Sequence, residues 1–248
     1  MPDAAVWFQQ QGITTLLYDN RTIGVSDGEP RNEVNPTKLV EDYHDALSFL
    51  MRHPLIDPER IAFYGYSFSA MVALVAAALD KRAAAVISVT PIADYSIRAD
   101  KRDAVLALAQ HDRLSCITGN PPVYIPFVDD EGDNPAGWGE RKSVEQFQRF
   151  LGSFFFTNQT TVQSYYYLAA WQPYGVMPLV SPTPVMMVTP ENDDISKPED
   201  QRKLFDIFDE PKEFELVLGK GHMDCQSGEG AEEVLQKQLD FLKKYLEF

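Results

Sequence analysis

The sequence has few cysteines, a shortage of positive charge and no long apolar run. Its two cysteines, Cys116 and Cys225, are too few for a disulfide framework. This favours a reducing compartment, and we expect a cytoplasmic protein. The 22 basic residues stand against 37 acidic ones, so the formal net charge is −15. Such a surface repels nucleic acid and anionic membranes, and we expect neither as a partner.

The amino-terminal residues and the apolar runs also carry no targeting signal. The chain begins Met-Pro-Asp, without the basic and apolar regions of a signal peptide. No run reaches the roughly 18 apolar residues that a membrane-spanning helix needs. We therefore predict neither a signal peptide nor a membrane span.

The composition is that of a globular protein, and the order of its segments is that of an α/β protein. Hydrophobic residues make up 44% of the 248 residues, which is enough for a full core in one domain. Short β-type runs alternate with helical patterns, and this spacing predicts βαβ units, a parallel sheet and helices on both faces. The predicted strands cover residues 13–18, 61–64, 83–90, 185–188 and 214–218.

The regular alternation stops between about residues 92 and 182. A segment of this length is too long for a structureless loop, so we predict a largely helical lid within a single domain covering residues 1–248. Its best helical patterns lie at residues 143–150 and 160–171. The aromatic residues of the second pattern suit either core packing or the lining of an apolar pocket; they are Tyr165, Tyr166, Tyr167 and Trp171.

Residues 60–71 form the most informative stretch of the chain. An apolar run breaks at Gly65-x-Ser67-x-Ser69 and continues as a strong helix former. This pattern predicts a strand, a sharp turn and a helix, with small residues on either side of the apex so that strand and helix can pass closely. Ser67 lies at the apex, where its hydroxyl is available as a nucleophile.

An acidic residue and a histidine follow two later predicted strands. Asp193 and Asp194 come after residues 185–188, and His222 comes after residues 214–218. The carboxyl ends of parallel strands share one rim of a sheet, so Ser67, one of the two aspartates and His222 are expected to meet there. A serine hydroxyl becomes nucleophilic when an imidazole takes its proton and a carboxylate orients that imidazole.

Two short stretches contain side chains that can bind metal ions, but neither has the residue spacing of a known metal site. Residues 129–134 resemble a calcium loop, yet Gly132 is misplaced and convincing flanking helices are missing, so we expect a solvated acidic loop. The grouping from His222 to Cys225 has no second ligand pair. We therefore predict no metal and no cofactor.

Several of these segments resemble the α/β-hydrolase superfamily. Within it the chain is most similar to the dienelactone-hydrolase-like group, which includes fungal polyketide-processing thioesterases and acyltransferases. The resemblance rests on residues 18–30, on residues 57–61 leading into Gly65-Tyr-Ser67-Phe-Ser69, on Glu191-Asn-Asp193 and on Gly221-His222. It implies a three-layer, mostly parallel α/β-hydrolase sheet with a helical lid.

The resemblance also implies roles for individual residues. Ser67 would be the nucleophile, His222 the base and Asp193 the acid, with Asp194 as the alternative acid. The backbone N–H of Phe68 would be one donor to the oxyanion. The implied substrate is a small hydrophobic, polyketide-like acyl compound that is carried as an ester or thioester.

One feature of the family is missing from the sequence. Family members place a strand and a His-Gly loop before the helix that opens this chain, so we expect an amino-terminally shortened version of the fold. The missing strand would lie between the strands that contain Leu16 and Phe63. Three outcomes are open: the two strands pair directly, another chain fills the gap as in a homodimer, or the sequence is a shortened form of a longer protein.

The expected function is therefore a serine hydrolase that cleaves or transfers an ester or thioester acyl group. One alternative is a lyase or cyclase that uses the same pocket without an acyl-enzyme. A second alternative is a non-catalytic binding protein on the hydrolase fold, since a fold by itself does not fix a function.

Overall fold

The computed structural model describes residues 2–138 and 157–248. The chain divides into two compact units, which we call the sheet unit and the insert unit. The sheet unit comprises Met1–Leu17, Val40–Ala93 and Pro173–Phe248. The insert unit comprises Tyr18–Leu39 and Asp94–Gln172.

A four-stranded parallel sheet forms the centre of the sheet unit. Its strands are β1 (Ala62–Tyr66), β2 (Ala85–Val89), β5 (Val185–Pro190) and β6 (Lys212–Val217), in the order β1-β2-β5-β6. Every residue of β2 and β5 is buried, as expected for strands that have neighbours on both sides and helices on both faces. The predicted strands at residues 61–64, 83–90, 185–188 and 214–218 are thereby confirmed.

Helices precede, connect and follow these strands, as the alternating pattern predicts. They are α1 (Pro2–Gln10), α2 (Pro36–Met51), α3 (Phe68–Leu79), α6 (Pro198–Ile207) and α7 (Ala231–Leu246), with a 3-10 helix at Pro173–Val180. The apolar face of α7 lies in one buried cluster with residues of β2 and β5; Leu239 and Phe241 belong to it together with Ile87 and Met186. The described helices include none that is long and apolar enough to cross a membrane.

The insert unit has a long helix and a small antiparallel pair of strands. Its elements are α4 (Ala99–Ile117), β3 (Tyr124–Ile125), β4 (Thr160–Thr161) and α5 (Val162–Ala170). The predicted helix at residues 160–171 corresponds to β4 and α5, whereas α4 was not singled out from the sequence. The predicted helix at residues 143–150 lies outside the described residues.

The aromatic residues of α5 separate into buried and exposed positions. Tyr165 is fully buried, packs on Phe127 and accepts a hydrogen bond of 2.8 Å from the amide of Asn134. Tyr166 is partly exposed, and the Arg113 guanidinium lies 4.4 Å from its ring centre. Core packing within the insert unit therefore accounts for Tyr165.

The acidic stretch at residues 129–134 is not simply a solvated loop. Asp133 and Asn134 are buried, and Asp133 accepts hydrogen bonds of 2.7 and 2.8 Å from the two terminal nitrogens of Arg98. Lys101 adds a third contact at 3.1 Å. The expectation of solvation was wrong for Asp133 because cations from α4 and the residue that precedes it neutralise its carboxylate. It was wrong for Asn134 because its amide donates to the carbonyl of Phe127 and to the hydroxyl of Tyr165.

The predicted strand at residues 13–18 was also wrong. This stretch has no regular secondary structure, and Leu17 is 53% exposed. A buried strand needs a hydrogen-bonding neighbour, and in the described sheet β1 pairs with β2 alone and forms the edge, so residues 13–18 have no strand beside them to pair with. Direct pairing between the segments of Leu16 and Phe63 is therefore not observed among the described residues.

Replacing Asp133 with asparagine tests the ion pair in the insert unit. The hydrogen bonds from Arg98, with Lys101 in support, hold the pKa of Asp133 well below its ordinary value. A depressed folded-state pKa contributes stability above the unfolded pKa of about 3.9, and this contribution fades as the pH falls towards the folded value. We expect Asp133→Asn to lower the free energy of unfolding by about 1–2 kcal/mol at pH 7.

Urea unfolding at several pH values measures this difference. It should be constant above about pH 5 and shrink below about pH 4. Asp103→Asn is the matched control because the Asp103 side chain is 92% exposed beside Arg102, and it should leave the curve unchanged. A difference for Asp133→Asn that is independent of pH would contradict the assignment.

Candidate active site

The turn between β1 and α3 holds Ser67 at a sharp corner. Gly65 makes this corner possible, because a Cβ at that position would lie 2.2 Å from the backbone oxygen of Ser69 and 2.6 Å from Cα of Ala70. Ser67 itself has φ 59° and ψ −120°, a conformation that non-glycine residues rarely adopt. Such a residue costs on the order of 1–3 kcal/mol, and it persists only where the surroundings fix it.

Backbone contacts to the neighbouring strand end hold this corner in place. The Ser67 N–H donates to the carbonyl of Val89 at 2.9 Å, and the Ile92 N–H donates to the carbonyl of Ser67 at 3.4 Å. Ser67 precedes α3 as its N-cap, but its side chain makes no capping hydrogen bond. Instead, its Oγ lies 2.7 Å from Nε2 of His222.

The turn after β5 presents a buried carboxylate. Oδ1 of Asp193 accepts backbone N–H bonds from Ile195 at 2.9 Å and Ser196 at 2.7 Å. Both oxygens of this carboxylate face Nδ1 of His222, Oδ2 at 2.8 Å and Oδ1 at 3.0 Å. Asp194 is exposed, so Asp193 is the member of the predicted pair that meets the histidine.

His222 lies in the loop after β6 and is 2% exposed. Because the carboxylate of Asp193 can only accept, His222 carries its proton on Nδ1, and Nε2 is left to accept from the Ser67 hydroxyl. The three predicted residues thus form a continuous hydrogen-bonded series. This arrangement suits proton transfer from the hydroxyl to the imidazole.

Two further contacts fix the histidine loop. The Tyr66 hydroxyl donates to the backbone carbonyl of His222, and the two rings meet edge to face with centres 6.1 Å apart. Glu191 accepts the Gly219 N–H through Oε2 at 2.9 Å, so the turns after β5 and β6 are linked. Neither contact was identified from the sequence, although both residues lie inside the motifs that drew attention.

The helix start beside Ser67 provides a polar environment for negative charge. Phe68 is the first residue of α3. The first N–H groups of a helix point outward along its axis, and the helix dipole adds partial positive charge there. This is the position that the family resemblance implies for an oxyanion donor.

The region around His222 contains two other groups that resembled metal ligands in the sequence. Oδ1 of Asp224 accepts the Gly221 N–H at 2.7 Å. Cys225 is buried, and burial raises the pKa of its thiol to about 12. Among residues 2–138 and 157–248, no group of three or more His, Cys, Asp or Glu side chains could hold a metal ion.

Comparison with known proteins adds a family to this geometry. The family model for the alpha/beta hydrolases matches residues 4–236. The chain belongs to the α/β hydrolase family. The α/β hydrolase fold with its mostly parallel sheet, predicted from the sequence, is confirmed by this match and by the strand order.

Relatives of this α/β hydrolase include several fungal proteins. The polyketide transferase af380 of Aspergillus fumigatus is 65% identical over 249 residues, which span 100% of this chain and 85% of that protein. A thiohydrolase of Eupenicillium brefeldianum is 44% identical over 97% of this chain and 80% of its own length. The crystal structure of the alpha/beta hydrolase GrgF from Penicillium superposes with a TM-score of 0.92 at 42% identity, covering 100% of this chain and 85% of that one.

A single methyl group at Gly65 tests the corner that holds Ser67. The added Cβ must displace the backbone of Ser69, and overpacking of this kind costs about 1–3 kcal/mol or more. We expect Gly65→Ala to lower the melting temperature by several degrees and to reduce the reactivity of Ser67. Gly175→Ala is the control, since a Cβ there meets nothing within 4 Å. Equal melting temperatures for the two variants would show that the corner is not tight.

Proposed function

We propose that this α/β hydrolase is a serine-dependent enzyme that cleaves a thioester or ester and transfers or releases the acyl group. The observation that carries the proposal is the series Ser67 Oγ, His222 Nε2, His222 Nδ1 and Asp193, with contacts of 2.7 and 2.8 Å. A serine at the start of a helix seldom leaves that helix uncapped and occupies a strained corner unless the hydroxyl has another use.

The steps of the proposed reaction follow from this arrangement. His222 takes the proton of Ser67 as Oγ attacks the acyl carbonyl, and the oxygen of the tetrahedral intermediate accumulates charge near the N–H of Phe68. The intermediate collapses, the C–S or C–O bond breaks, and the imidazolium returns its proton to the leaving thiolate or alkoxide. Asp193 stabilises the imidazolium throughout. Water or an acceptor hydroxyl then attacks the ester on Ser67 by the same steps in reverse.

The substrate class is inferred from the relatives. One of them is named a polyketide transferase and another a thiohydrolase, so the acyl group proposed for this enzyme is a hydrophobic polyketide-like chain held as a thioester. The two names differ in the acceptor that removes the acyl group from the enzyme, a second substrate in one case and water in the other. We propose transfer as the main reaction because the polyketide transferase is the more similar of the two at 65% identity.

The compartment proposed for this reaction is the cytoplasm. Cys116 and Cys225 are both free thiols. A reducing compartment keeps such thiols unpaired.

Covalent labelling with a fluorophosphonate probe tests the activation of Ser67. We expect one adduct, on Ser67, located by mass spectrometry of the digested protein. Ser67→Ala and His222→Ala should abolish labelling or lower its rate by at least about 1,000-fold, because the hydroxyl is a poor nucleophile without a base. Ser69→Ala is the control: it replaces a small residue of the corner with another small residue and leaves Ser67 in place. The labelling rate of this variant should match that of the wild type.

The outcomes separate acyl chemistry from the two alternatives. Labelling at a different serine, or labelling that does not need His222, would contradict the proposed roles. Turnover that survives Ser67→Ala but not His222→Ala would favour a lyase or cyclase. A folded protein that is not labelled would favour a binding role.

The partition of a thioester substrate tests transfer against hydrolysis. An aromatic acyl thioester is supplied with and without a hydrophobic alcohol, and the products are separated by liquid chromatography. We expect the ester to form at the expense of the free acid, with an unchanged rate of thiol release when deacylation is not limiting. Free acid as the only product at every alcohol concentration would identify a thiohydrolase instead.

A further inference from the structure

A buried side-chain amide lies directly behind the predicted acid. Gln201 belongs to α6 and is 0% exposed. Its Nε2 donates to Oδ2 of Asp193 at 2.8 Å and to the carbonyl of Ser196 at 2.7 Å. Its Oε1 accepts from the hydroxyl of Thr189 at 2.9 Å. The amide therefore uses both of its hydrogens and its oxygen.

The orientation of this amide follows from its partners. A carboxylate and a backbone carbonyl can only accept hydrogen bonds, so both must face the NH₂ group of Gln201. The oxygen then faces Thr189, whose hydroxyl is a donor. The reversed orientation would place an oxygen against two other oxygens in a buried site, which is strongly unfavourable. Gln201 is thus a fixed donor to Asp193.

The donor from Gln201 reaches the same oxygen that is nearest to the histidine. Oδ2 lies 2.8 Å from Nδ1 of His222, while Oδ1 lies 3.0 Å from it and also receives two backbone N–H groups. The backbone turn thus fixes one oxygen of the carboxylate, and Gln201 fixes the other. Two points of attachment set the plane of the carboxylate relative to the imidazole ring.

We propose that Gln201 is a positioning residue that orients the Asp193 carboxylate and stabilises its negative charge through a donated hydrogen bond. Gln201 thereby sets how strongly Asp193 attracts the proton of His222. The inference rests on the proposed roles of Ser67, Asp193 and His222. A hydrogen bond from a neutral amide stabilises the ionised carboxylate and weakens its pull on the neighbouring proton. Without that bond, His222 would be protonated to a higher pH and would serve less well as a base.

Within the described part of the chain, the phenol of Tyr66 and the thiol of Cys225 also interact with Asp193. Burial raises the pKa of both, that of Cys225 to about 12. Asp224 interacts with these two groups, and it is exposed. A rise in reactivity between pH 5 and 9 therefore reports the proton on His222.

The rate of fluorophosphonate labelling at Ser67, measured as a function of pH, tests the role of Gln201. Gln201→Met removes both donated hydrogen bonds at similar volume. We expect the ascending limb of its profile to move to higher pH by about one pH unit, with labelling about tenfold slower at pH values below the limb. Gln201→Glu keeps the shape of the side chain but has at most one hydrogen to donate in place of two, and when ionised it adds negative charge beside Asp193, so its limb should also move to higher pH.

Gln238 provides a matched control. It is also 0% exposed and lies on a helix of the sheet unit, but its amide has no hydrogen-bond partner within the described part of the chain. Gln238→Met should leave the pH profile where it is in the wild type. Melting curves establish that each variant is folded, and because Gln201→Glu preserves shape, it reports on the role if Gln201→Met fails to fold.

The outcomes distinguish this inference from the proposed function. A wild-type protein in which Ser67 is not labelled would overturn the proposed function and this inference with it. Labelling of wild-type Ser67 together with profiles for both Gln201 variants that stay in place, or move to lower pH, would overturn only the inference. Gln201 would then contribute to stability alone, which would appear as a lower melting temperature without a change in the profile.

Discussion

The hydrogen bond between Ser67 and His222 is the contact on which the rest of the site depends. The two residues are separated by 155 positions in the chain, yet Oγ and Nε2 lie 2.7 Å apart. This distance requires that β1, β5 and β6 end on one rim of the sheet, and their parallel order provides it. The central strand β2 serves the same purpose indirectly, because its last residue, Val89, accepts the N–H of Ser67.

The local cost of this arrangement is visible at the start of α3. A serine at an N-cap usually accepts an N–H from the first turn, which stabilises a helix by about 1 kcal/mol. Ser67 forgoes that bond and adopts a positive φ. The helix is held instead by its buried face, since Ala70–Ala78 are all buried. Tertiary packing therefore offsets a local arrangement that the isolated segment would not favour.

Much of the sheet unit and the three-residue series could be predicted from the sequence. Buried parallel strands appear in the sequence as continuous apolar runs. The small residues around Ser67 indicate a tight corner, and this signal does not depend on distant parts of the chain. The choice between Asp193 and Asp194 was made by resemblance, because both follow the same strand. The structure distinguishes them physically, since only one can point inward from the turn while its neighbour points to solvent.

Other parts depended on partners that a linear reading does not show. Residues 13–18 have the composition of a buried strand, but strand formation also requires an adjacent backbone, and composition carries no information about it. Asp133 looked solvated because Arg98 and Lys101 lie 35 and 32 positions away in the chain. Gln201 gave no signal at all, since a glutamine on a helix is ordinarily a surface residue. The common omission was thus the partner that each segment or side chain meets in the fold.

Tyr66 has a consequence for how the chain can change over evolutionary time. It is the residue immediately before Ser67, and its hydroxyl reaches the backbone carbonyl of His222. One rigid aromatic side chain therefore spans the distance between the end of β1 and the loop that carries His222. An insertion or deletion in that loop would change the distance between the Tyr66 ring and the carbonyl of His222, and the tyrosine side chain has a fixed length. Loop length after β6 and the identity of residue 66 should accordingly be inherited together.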